Sequence, residues 1–397
     1  MLNEIAKKQK IKAITYMMIC MMCVLYCFIS VEAVNASGNL EYRVEGNIAV
    51  ITGYTDYDGN SKVLKIPEKI DGYTVGKISS FAFMDCTSFT EVIIPKSVTS
   101  IDEYAFYDCV LLEKITISSG VKQIGAGIFM GCSSLKKVTI PDSVTYLGKQ
   151  AFWACSSLTD VVISKNINKI HERTFQDCVL LKKVTIPENV TYIGDSAFED
   201  CSSLTEIKMS EKVTYIGDSA FCGCENLKKV AIPKNTTQIG EQAFSDCKAL
   251  TEIKIPDSVT HIGEFCFYNC ISLKKVIIPN KVTYIGDYAF YGCQNIKIYC
   301  PKDSKAHIYA QNNRIPYILD SVIMIFGDIH EDWYTNYVQY VYDNKLMTGI
   351  KGTNRFEPNS NITKAQVAQV LYNMENQPKV GDRKVFAELK DVYQAEW

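Results

Sequence analysis

The chain has 397 residues, and its 42 lysines and arginines nearly balance its 44 aspartates and glutamates, which gives a net charge of −2. Hydrophobic residues make up 47% and charged residues 22%, a composition that excludes a largely disordered chain. The length allows two domains with a substantial core. The near-neutral charge gives no reason to expect binding to nucleic acid or to an anionic membrane surface.

The first 36 residues have the pattern of a secretory signal peptide. Four lysines within residues 7–12 precede the uncharged run AITYMMICMMCVLYCFISV, and small residues follow it. This order predicts cleavage after Ala36 and places the rest of the chain outside the cytoplasm. The alternative is an uncleaved membrane anchor, because 19 apolar residues just suffice to span a bilayer.

A strict repeat follows the signal segment. Ten cysteines recur every 23 residues, each three residues after a phenylalanine and three residues before a large apolar residue. The ten are Cys86, Cys109, Cys132, Cys155, Cys178, Cys201, Cys224, Cys247, Cys270 and Cys293. A fixed period of this length indicates a solenoid, in which stacked units bury together the apolar residues that no single unit can bury alone.

Each unit contains two strand patterns and a turn. The segment LTEIKI (250–255) alternates apolar and polar residues, and Pro256 ends it. A second alternating segment such as VTYIG (190–194) stops at a glycine, and DSAFEDC (195–201) begins with an N-cap-type aspartate before a helix-compatible stretch. The predicted fold is therefore a β-rich solenoid of about ten coils, with short helical turns and parallel strands about 4.8 Å apart.

The unit I-x-x-x-A-F-x-x-C-x-x-L-x-x-V-x-I-P resembles the BspA-like (Treponema pallidum-type) leucine-rich repeat of bacterial surface proteins. The resemblance covers residues 40–318. It implies an N-terminal cap or irregular first coil at 37–78, repeats at 79–300, and a cap helix with a linker at 301–320. The family also implies secretion, no catalytic activity, and binding of a host, matrix or neighbouring-cell protein.

Three further expectations concern the surface and the ends of this solenoid. The cap helix should close the exposed core with Ala306, Ile308, Tyr309 and Ala310. At the outward position five residues after the cysteine, charges alternate from Lys183 to Lys275, which predicts Lys–Glu pairs between coils that serve solubility and register. Four tyrosines are candidate contact residues, although packing between coils explains the first three equally well: Tyr192, Tyr215, Tyr284 and Tyr291.

The segment after residue 320 has two helix-period stretches and resembles the S-layer homology (SLH) module. The residues that carry the resemblance are Phe326, Asp328, Trp333, Gly349, Phe356-x-Pro358 and Ile362-Thr363-Lys364-Ala365-Gln366. One module is expected at 321–378, and the start of a second, incomplete one at 379–397. The alternative is a small helical domain with no wall ligand.

This resemblance implies binding to an anionic, pyruvate-bearing secondary cell-wall polymer. Trp333 would then stack at the ligand groove, Gly349 would allow close approach of the sugar, and Lys364, beside Thr363, would supply the cation for a carboxylate. Two departures weaken the match to the I-T-R-A-E motif. Lys364 replaces an arginine and loses its bidentate geometry, and Gln366 replaces a glutamate.

The motifs of catalysis and of metal binding are missing from the sequence. The four histidines are far apart, and none forms H-E-x-x-H or lies near a C-x-x-C. We therefore expect no enzyme activity, no cofactor and no metal. The repeated cysteines are expected to form a reduced structural ladder. Disulfides, with Cys222, Cys266 and Cys300 as the favoured partners, and a metal array are the alternatives.

Together these features predict a secreted, cell-wall-associated surface protein. Its solenoid would mediate protein binding or adhesion, and its SLH module would anchor it to wall polymer, with contact to the membrane only through an uncleaved signal segment. Two alternatives stay open. The chain is the targeting arm of a larger envelope enzyme whose catalytic domain lies beyond residue 397, or it is a purely structural spacer of the envelope.

Overall fold

The computed structural model describes residues 35–55 and 62–319. They form a parallel-strand β-solenoid of about 12 turns with very little helix, as the 23-residue period predicts. Most coils contribute one strand to each of two sheets, because each coil contains two alternating segments whose apolar residues must face the same interior. One coil has only an isolated bridge, between Glu206 and Lys229, in place of a strand after the cysteine. Residues 1–34 of the predicted signal segment and the whole SLH-like segment lie outside the described residues, and the last two residues of the signal segment belong to the strand Asn35–Ser37. Within those residues, no helix is both long enough and apolar enough to cross a membrane.

The strands that follow the cysteines form sheet 1. Their middle residue is buried and their neighbours face outward, as in Lys183–Thr185. The strands pair in register with the residue 23 positions later, so Lys183 lies beside Glu206. Sheet 1 consists of Val63–Lys65, Glu91–Ile94, Lys114–Ile117, Lys137–Thr139, Asp160–Val162, Lys183–Thr185, Glu206–Lys208, Glu252–Lys254, Lys275–Ile277, Lys297–Cys300 and Tyr317–Leu319. Hydrogen bonding divides it into three segments, of five, two and four strands.

The strands that precede the glycines form sheet 2. Most are only two residues long, with an outward residue followed by a buried isoleucine or leucine. Sheet 2 consists of Tyr73–Ile78, Ser100–Ile101, Gln123–Ile124, Tyr146–Leu147, Lys169–Ile170, Tyr192–Ile193, Tyr215–Ile216, Gln238–Ile239, His261–Ile262 and Tyr284–Ile285. It also pairs in register, with Tyr192 beside Tyr215, and hydrogen bonding divides it into two segments between Tyr146–Leu147 and Lys169–Ile170.

The phenylalanines of the repeat form a continuous stack along the interior. The ring centroids of Phe83 and Phe106 are 4.8 Å apart, and those of Phe267 and Phe290 are 5.2 Å apart at the other end. Nearly parallel planes recur along the stack, because in-register coils place each ring directly over the previous one. These rings belong to one hydrophobic core that continues from the first coils to the cap helix.

The turn between sheet 2 and the cysteine contains two residues with positive φ in each coil. One lies two residues before the phenylalanine, as in Ser196, and the other lies directly before the cysteine, as in Asp200. The second position is held by Asp, Asn or Gly in nearly every coil, residues that tolerate a left-handed backbone. The segment DSAFEDC therefore forms a pair of tight turns instead of a continuous helix.

The N-terminal cap is an antiparallel meander. Strands Asn35–Ser37, Leu40–Glu45 and Ile48–Tyr54 pair in order, and a further strand, Lys69–Ile70, pairs antiparallel with Tyr73–Ile78. The hydroxyl of Tyr42 donates to the carboxylate of Asp71 at 2.6 Å and joins the two hairpins. The ring of Tyr54 packs against Phe83 and Phe89 and covers the first end of the phenylalanine stack.

The C-terminal cap is one helix, Lys305–Asn312. The side chain of Ser304 caps it by accepting from the backbone N–H of His307. Ala306, Tyr309 and Ala310 are buried, and the ring of Tyr309 meets Phe290 edge-on at 5.9 Å. The expectation for Ile308 is wrong, because this side chain is 45% exposed. His307 takes the inward position, since it lies on the same face as Ala306 and Ala310.

Candidate binding surfaces and the cysteine ladder

The repeated cysteines are buried side chains that link neighbouring coils. The thiol of Cys109 donates to the carbonyl oxygen of Phe83 at 3.0 Å, 26 residues earlier. The same contact recurs at 3.0–3.3 Å for Cys132, Cys155, Cys178, Cys201, Cys224, Cys247, Cys270 and Cys293. Cys86, in the first coil of the series, is only partly buried. Each buried cysteine of this column therefore packs as a small apolar side chain and also donates a hydrogen bond to the preceding coil.

The thiols in the middle of this column have little tendency to ionise. Burial raises the pKa of Cys178, Cys201 and Cys224 well above that of a free thiol. A thiol that stays protonated is a poor nucleophile and a poor metal ligand. Within residues 35–55 and 62–319, no two cysteines are joined by a disulfide, and Cys222, Cys266 and Cys300 are buried thiols. The same ranges contain no group of three His, Cys, Asp or Glu side chains placed to hold a metal ion.

Sheet 1 presents charged side chains in a column five residues after each cysteine. Lys183 lies 3.3 Å from Glu206, and Lys229 lies 3.8 Å from Glu252. The ammonium group of Lys275 lies over the ring of Tyr299, 5.0 Å from its centroid. Opposite charges therefore meet along this part of the column, as the alternation in the sequence indicates. All four side chains of the two pairs are exposed, so each pair contributes well under about 1 kcal/mol.

Two shallow grooves interrupt the outer face of sheet 1. One has a volume of about 750 Å³ and includes Val162, Thr185 and Met209; the other has about 770 Å³ and includes Ala231 and Ile277. They lie where the sheet is divided into segments, after Asp160–Val162 and before Glu252–Lys254. Lysines and acidic residues both line each groove, so neither favours a ligand of one charge.

Sheet 2 presents three columns of outward residues. In the first, threonine hydroxyls donate to the carbonyl of the preceding coil, as Thr214 does to Thr191 at 3.2 Å. The second contains stacked rings, with the centroids of Tyr192 and Tyr215 5.1 Å apart. Tyr284 follows in the same column beside His261 and is exposed. The first two tyrosines are packing partners of each other, while Tyr284 keeps a large accessible surface.

The third column is acidic and occupies the position after the glycine of the repeat, a glycine that is replaced by His171 in the first of these coils. We call it the acidic column, and its members are Glu172, Asp195, Asp218, Glu241, Glu264 and Asp287. Two members also support the turns, because the carboxylates of Asp195 and Asp218 accept from the backbone N–H of the next member at 3.0 and 2.8 Å. Burial raises the pKa of the Asp195 carboxyl, and the charges of Asp218 and Glu172 raise it further.

The residues predicted to bind wall polymer lie outside the described residues. These are Trp333, Gly349, Thr363 and Lys364. Three features of the repeat region were missed by sequence reasoning: the acidic column, the two grooves and the exposed ring of Tyr288, which lies beside the predicted contact residue Tyr291. The acidic column could have been recognised in the sequence, because one position of the repeat holds only acidic residues from Glu172 to Asp287. The grooves could not have been, since they depend on where strand pairing stops.

Stacked in-register coils that bury one continuous core define this chain as a repeat protein of the leucine-rich solenoid class. The family model for the BspA type leucine rich repeat region matches residues 76–205 and 191–310, with six copies. The chain therefore belongs to the BspA-type leucine-rich repeat family. The model for the S-layer homology domain matches residues 325–368. Both are binding or anchoring modules and not catalytic ones.

Three solved bacterial proteins are similar to this chain. A leucine rich cell surface protein from Faecalibacterium prausnitzii is 26% identical, with 72% of this chain and 98% of that chain covered and a TM-score of 0.39. The pneumococcal vaccine antigen PcpA is 22% identical, with coverage of 68% and 82% and a TM-score of 0.51, and it supports the fold. The leucine-rich repeat protein of T. pallidum is 20% identical, with coverage of 72% and 97% and a TM-score of 0.36. No curated protein matches the chain significantly.

Proposed function

We propose that this is a secreted protein of the bacterial cell wall, whose solenoid binds another protein in adhesion and whose SLH module holds it to secondary cell-wall polymer. The observation that carries the proposal is the presence of a BspA-type repeat region at 76–310 and an S-layer homology domain at 325–368 in one chain. A solenoid with an extended, regular surface suits binding of a large partner. An anchoring module after it would display that surface outside the cell.

In the proposed layout, the signal peptide ends at residue 36, the capped solenoid spans 37–320, and the module spans 321–378, followed by the start of a second one. Trp333 and Gly349 form the polymer site with Thr363 and Lys364. A lysine provides one point charge where an arginine would provide a planar fork, so a single carboxylate of the polymer is the expected contact of Lys364.

Anchoring can be tested by co-sedimentation of the full chain with purified Gram-positive cell walls. We expect retention on intact walls, and loss of retention on walls from which the secondary polymer has been removed chemically. Lys364→Ala should weaken retention. Lys302→Ala, which replaces an exposed lysine of the solenoid, should leave retention unchanged. Equal retention on both wall preparations would contradict the anchoring proposal.

Protein binding can be tested separately from anchoring. Cells that display the full chain should adhere saturably to immobilised extracellular-matrix protein or to neighbouring bacterial cells, and cells that lack the gene should not. Adhesion should be blocked by the purified chain in solution, because the soluble solenoid competes for the same partner. If display changes adhesion to none of these surfaces, the chain is a spacer of the envelope.

A further inference from the structure

The last coils of the solenoid present a cluster of aromatic rings on the turn side. The cluster, which we call the aromatic patch, consists of Phe265, Tyr268, Tyr288 and Tyr291. Phe265 stacks on Tyr288 with centroids 5.3 Å apart, and Tyr268 stacks on Tyr291 at 5.8 Å. The two stacks meet edge-on. Tyr288 and Tyr291 are nevertheless 56% and 61% exposed, so two ring faces and both hydroxyls are accessible.

The first coils provide a direct comparison, because they carry large side chains at the same two repeat positions. There Tyr104, Tyr107, Met130 and Trp153 pack on one another and are almost completely buried. The repeat can therefore bury large side chains at these positions where later coils pack on them. The rings of the aromatic patch remain open, and exposed tyrosines with few rotatable bonds are favoured contact residues in protein interfaces.

The turn segments of the five coils that end at the aromatic patch carry charges of one sign. The five turn segments 194–201, 217–224, 240–247, 263–270 and 286–293 contain eight acidic residues and no lysine or arginine. The eight are Asp195, Glu199, Asp200, Asp218, Glu241, Asp246, Glu264 and Asp287, and all but Glu199 are at least partly exposed. Glu264 and Asp287 directly precede Phe265 and Tyr288 in the sequence.

The fold does not require this single sign. The position held by Glu264 and Asp287 is occupied by Lys149 in an earlier coil and by Ala126 in the coil before it. On sheet 1, the equivalent stacking of coils is accompanied by alternating charges that pair. Like charges stacked at strand spacing repel one another, so the acidic column opposes folding slightly. A ligand of opposite charge would relieve that repulsion.

We propose that the aromatic patch and the carboxylates beside it dock a lysine- or arginine-rich segment of a partner protein. This inference specifies the chemistry of the partner in the proposed function and depends on that function. The carboxylates would pair with the cationic groups, and the exposed faces of Tyr288 and Tyr291 would hold a cation or the aliphatic part of its side chain by cation–π contact and burial. An acidic segment is disfavoured by the seven carboxylates along this edge that are not buried.

The test measures binding of fluorescent poly-L-lysine and poly-L-arginine to the purified full chain at low ionic strength. Glu264→Gln with Asp287→Asn should lower the affinity about three- to tenfold and flatten its salt dependence. Tyr288→Ser with Tyr291→Ser should lower it by a similar factor and leave the salt dependence unchanged. Thermal unfolding of both variants should match that of the wild type, because all four side chains lie on the surface or at its margin.

Two control variants keep the test specific. Glu206→Gln with Glu252→Gln removes the same charge from sheet 1, and Tyr146→Ser removes an exposed ring near Lys149; neither should change the affinity. Equal losses in the controls would overturn the inference, as would tighter binding of poly-L-glutamate or of a neutral glucan. Cell walls are absent from this measurement. If the chain does not bind the basic polymers but cells that display it still adhere, only the basic partner is rejected, and the proposed function stands.

Discussion

The thiol of Cys201 donates to the carbonyl oxygen of Phe175, 3.1 Å away, and the same oxygen accepts from the backbone N–H of Cys178 at 3.2 Å. One buried oxygen thus joins a turn of its own coil to a side chain of the next coil. A thiol suits this position because it packs as a small apolar group and still donates a hydrogen bond. The repetition of this contact explains why the cysteine is kept at every coil without any need for redox or metal chemistry.

Cys201→Ala should lower the free energy of unfolding by about 1–2 kcal/mol, because it leaves a small cavity and removes one of two bonds to the Phe175 oxygen. Urea denaturation of the wild type and the variant measures the change. Cys86→Ala is the matched control, since Cys86 is only partly buried, and its effect should be clearly smaller. Equal effects would show that the ladder contact adds nothing to stability.

Most of the repeat architecture could be predicted from the sequence, because the 23-residue register determines which residues stack. The phenylalanine and cysteine columns, the two strands per coil and the Lys–Glu neighbours all follow from it. The positive φ before each cysteine was also readable from its Asp, Asn and Gly residues. The other left-handed position was not, since Arg173, Ser196 and Phe265 share no preference for that backbone. Tertiary packing imposes it there.

Alkaline pH should destabilise the solenoid through the same thiols. Burial raises the pKa of Cys178 and Cys201 in the folded state, so these groups keep their protons when the thiols of the unfolded chain ionise above pH of about 8.5. The unfolded state then binds fewer protons than the folded state, and the free energy of unfolding falls as pH rises. Each thiol contributes at most about 1.4 kcal/mol per pH unit.

The measurement is urea denaturation between pH 7 and pH 10, a range that begins below the thiol pKa of the unfolded chain, about 8.5. A Cys178→Ala, Cys201→Ala double variant should be less stable at pH 7 but should lose less stability as the pH rises. A wild-type stability that stays constant or increases over this interval would contradict the assignment of these cysteines as buried protonated thiols.

The cap helix should depend on Ser304 and tolerate change at Ile308. Ser304→Ala removes the side chain that accepts from the N–H of His307, and it should lower stability by about 1 kcal/mol. Ile308→Gln should change stability by less than about 0.5 kcal/mol, because the side chain is exposed. Hydrogen exchange across residues 290–319 would locate the effect of Ser304→Ala. A loss of stability larger than this for Ile308→Gln would indicate that the Ile308 side chain points inward, as the sequence predicts.

The candidate surfaces were less predictable than the fold. Which residues face outward follows from the strand period, but whether an outward ring is covered depends on its neighbours in space. Tyr192 and Tyr215 cover each other, whereas Tyr291 lies in the last repeat coil and stays open. The grooves of sheet 1 likewise depend on where hydrogen bonding between strands stops, which alternation in a single strand does not reveal.

The Lys183–Glu206 pair should contribute little to stability despite its regular placement. Both side chains are about 70% exposed, and water screens their attraction across the 3.3 Å contact. Glu206→Gln should therefore change the free energy of unfolding by less than about 0.5 kcal/mol, and added salt should remove even that difference. A double-mutant cycle with Lys183→Gln measures the coupling directly. A coupling energy above about 1 kcal/mol would contradict the role in solubility and register.

The largest effect should come from the phenylalanine stack. Phe198 is fully buried between Phe175 and Phe221, with centroids 5.2 and 5.3 Å away. Phe198→Ala should cost about 3–5 kcal/mol through the cavity and the lost ring contacts, and Phe198→Leu about 1–2 kcal/mol, because leucine fills most of the space. Since each coil contacts only its neighbours, the loss should be local and appear as faster hydrogen exchange in residues 170–225.

The matched control for the stack is Tyr146→Ala, which removes a ring that is 46% exposed. We expect a change of less than about 0.5 kcal/mol, with hydrogen exchange unaltered beyond its own coil. If Phe198→Ala accelerated exchange uniformly from the N-terminal meander to the cap helix, the coils would unfold as a single cooperative unit. The stack would then transmit stability along the whole solenoid, because each ring contacts the next from Phe83 to Phe290. Exchange confined to the neighbouring coils would instead show that each coil depends on its immediate contacts, as the nearest-neighbour description of repeat proteins predicts.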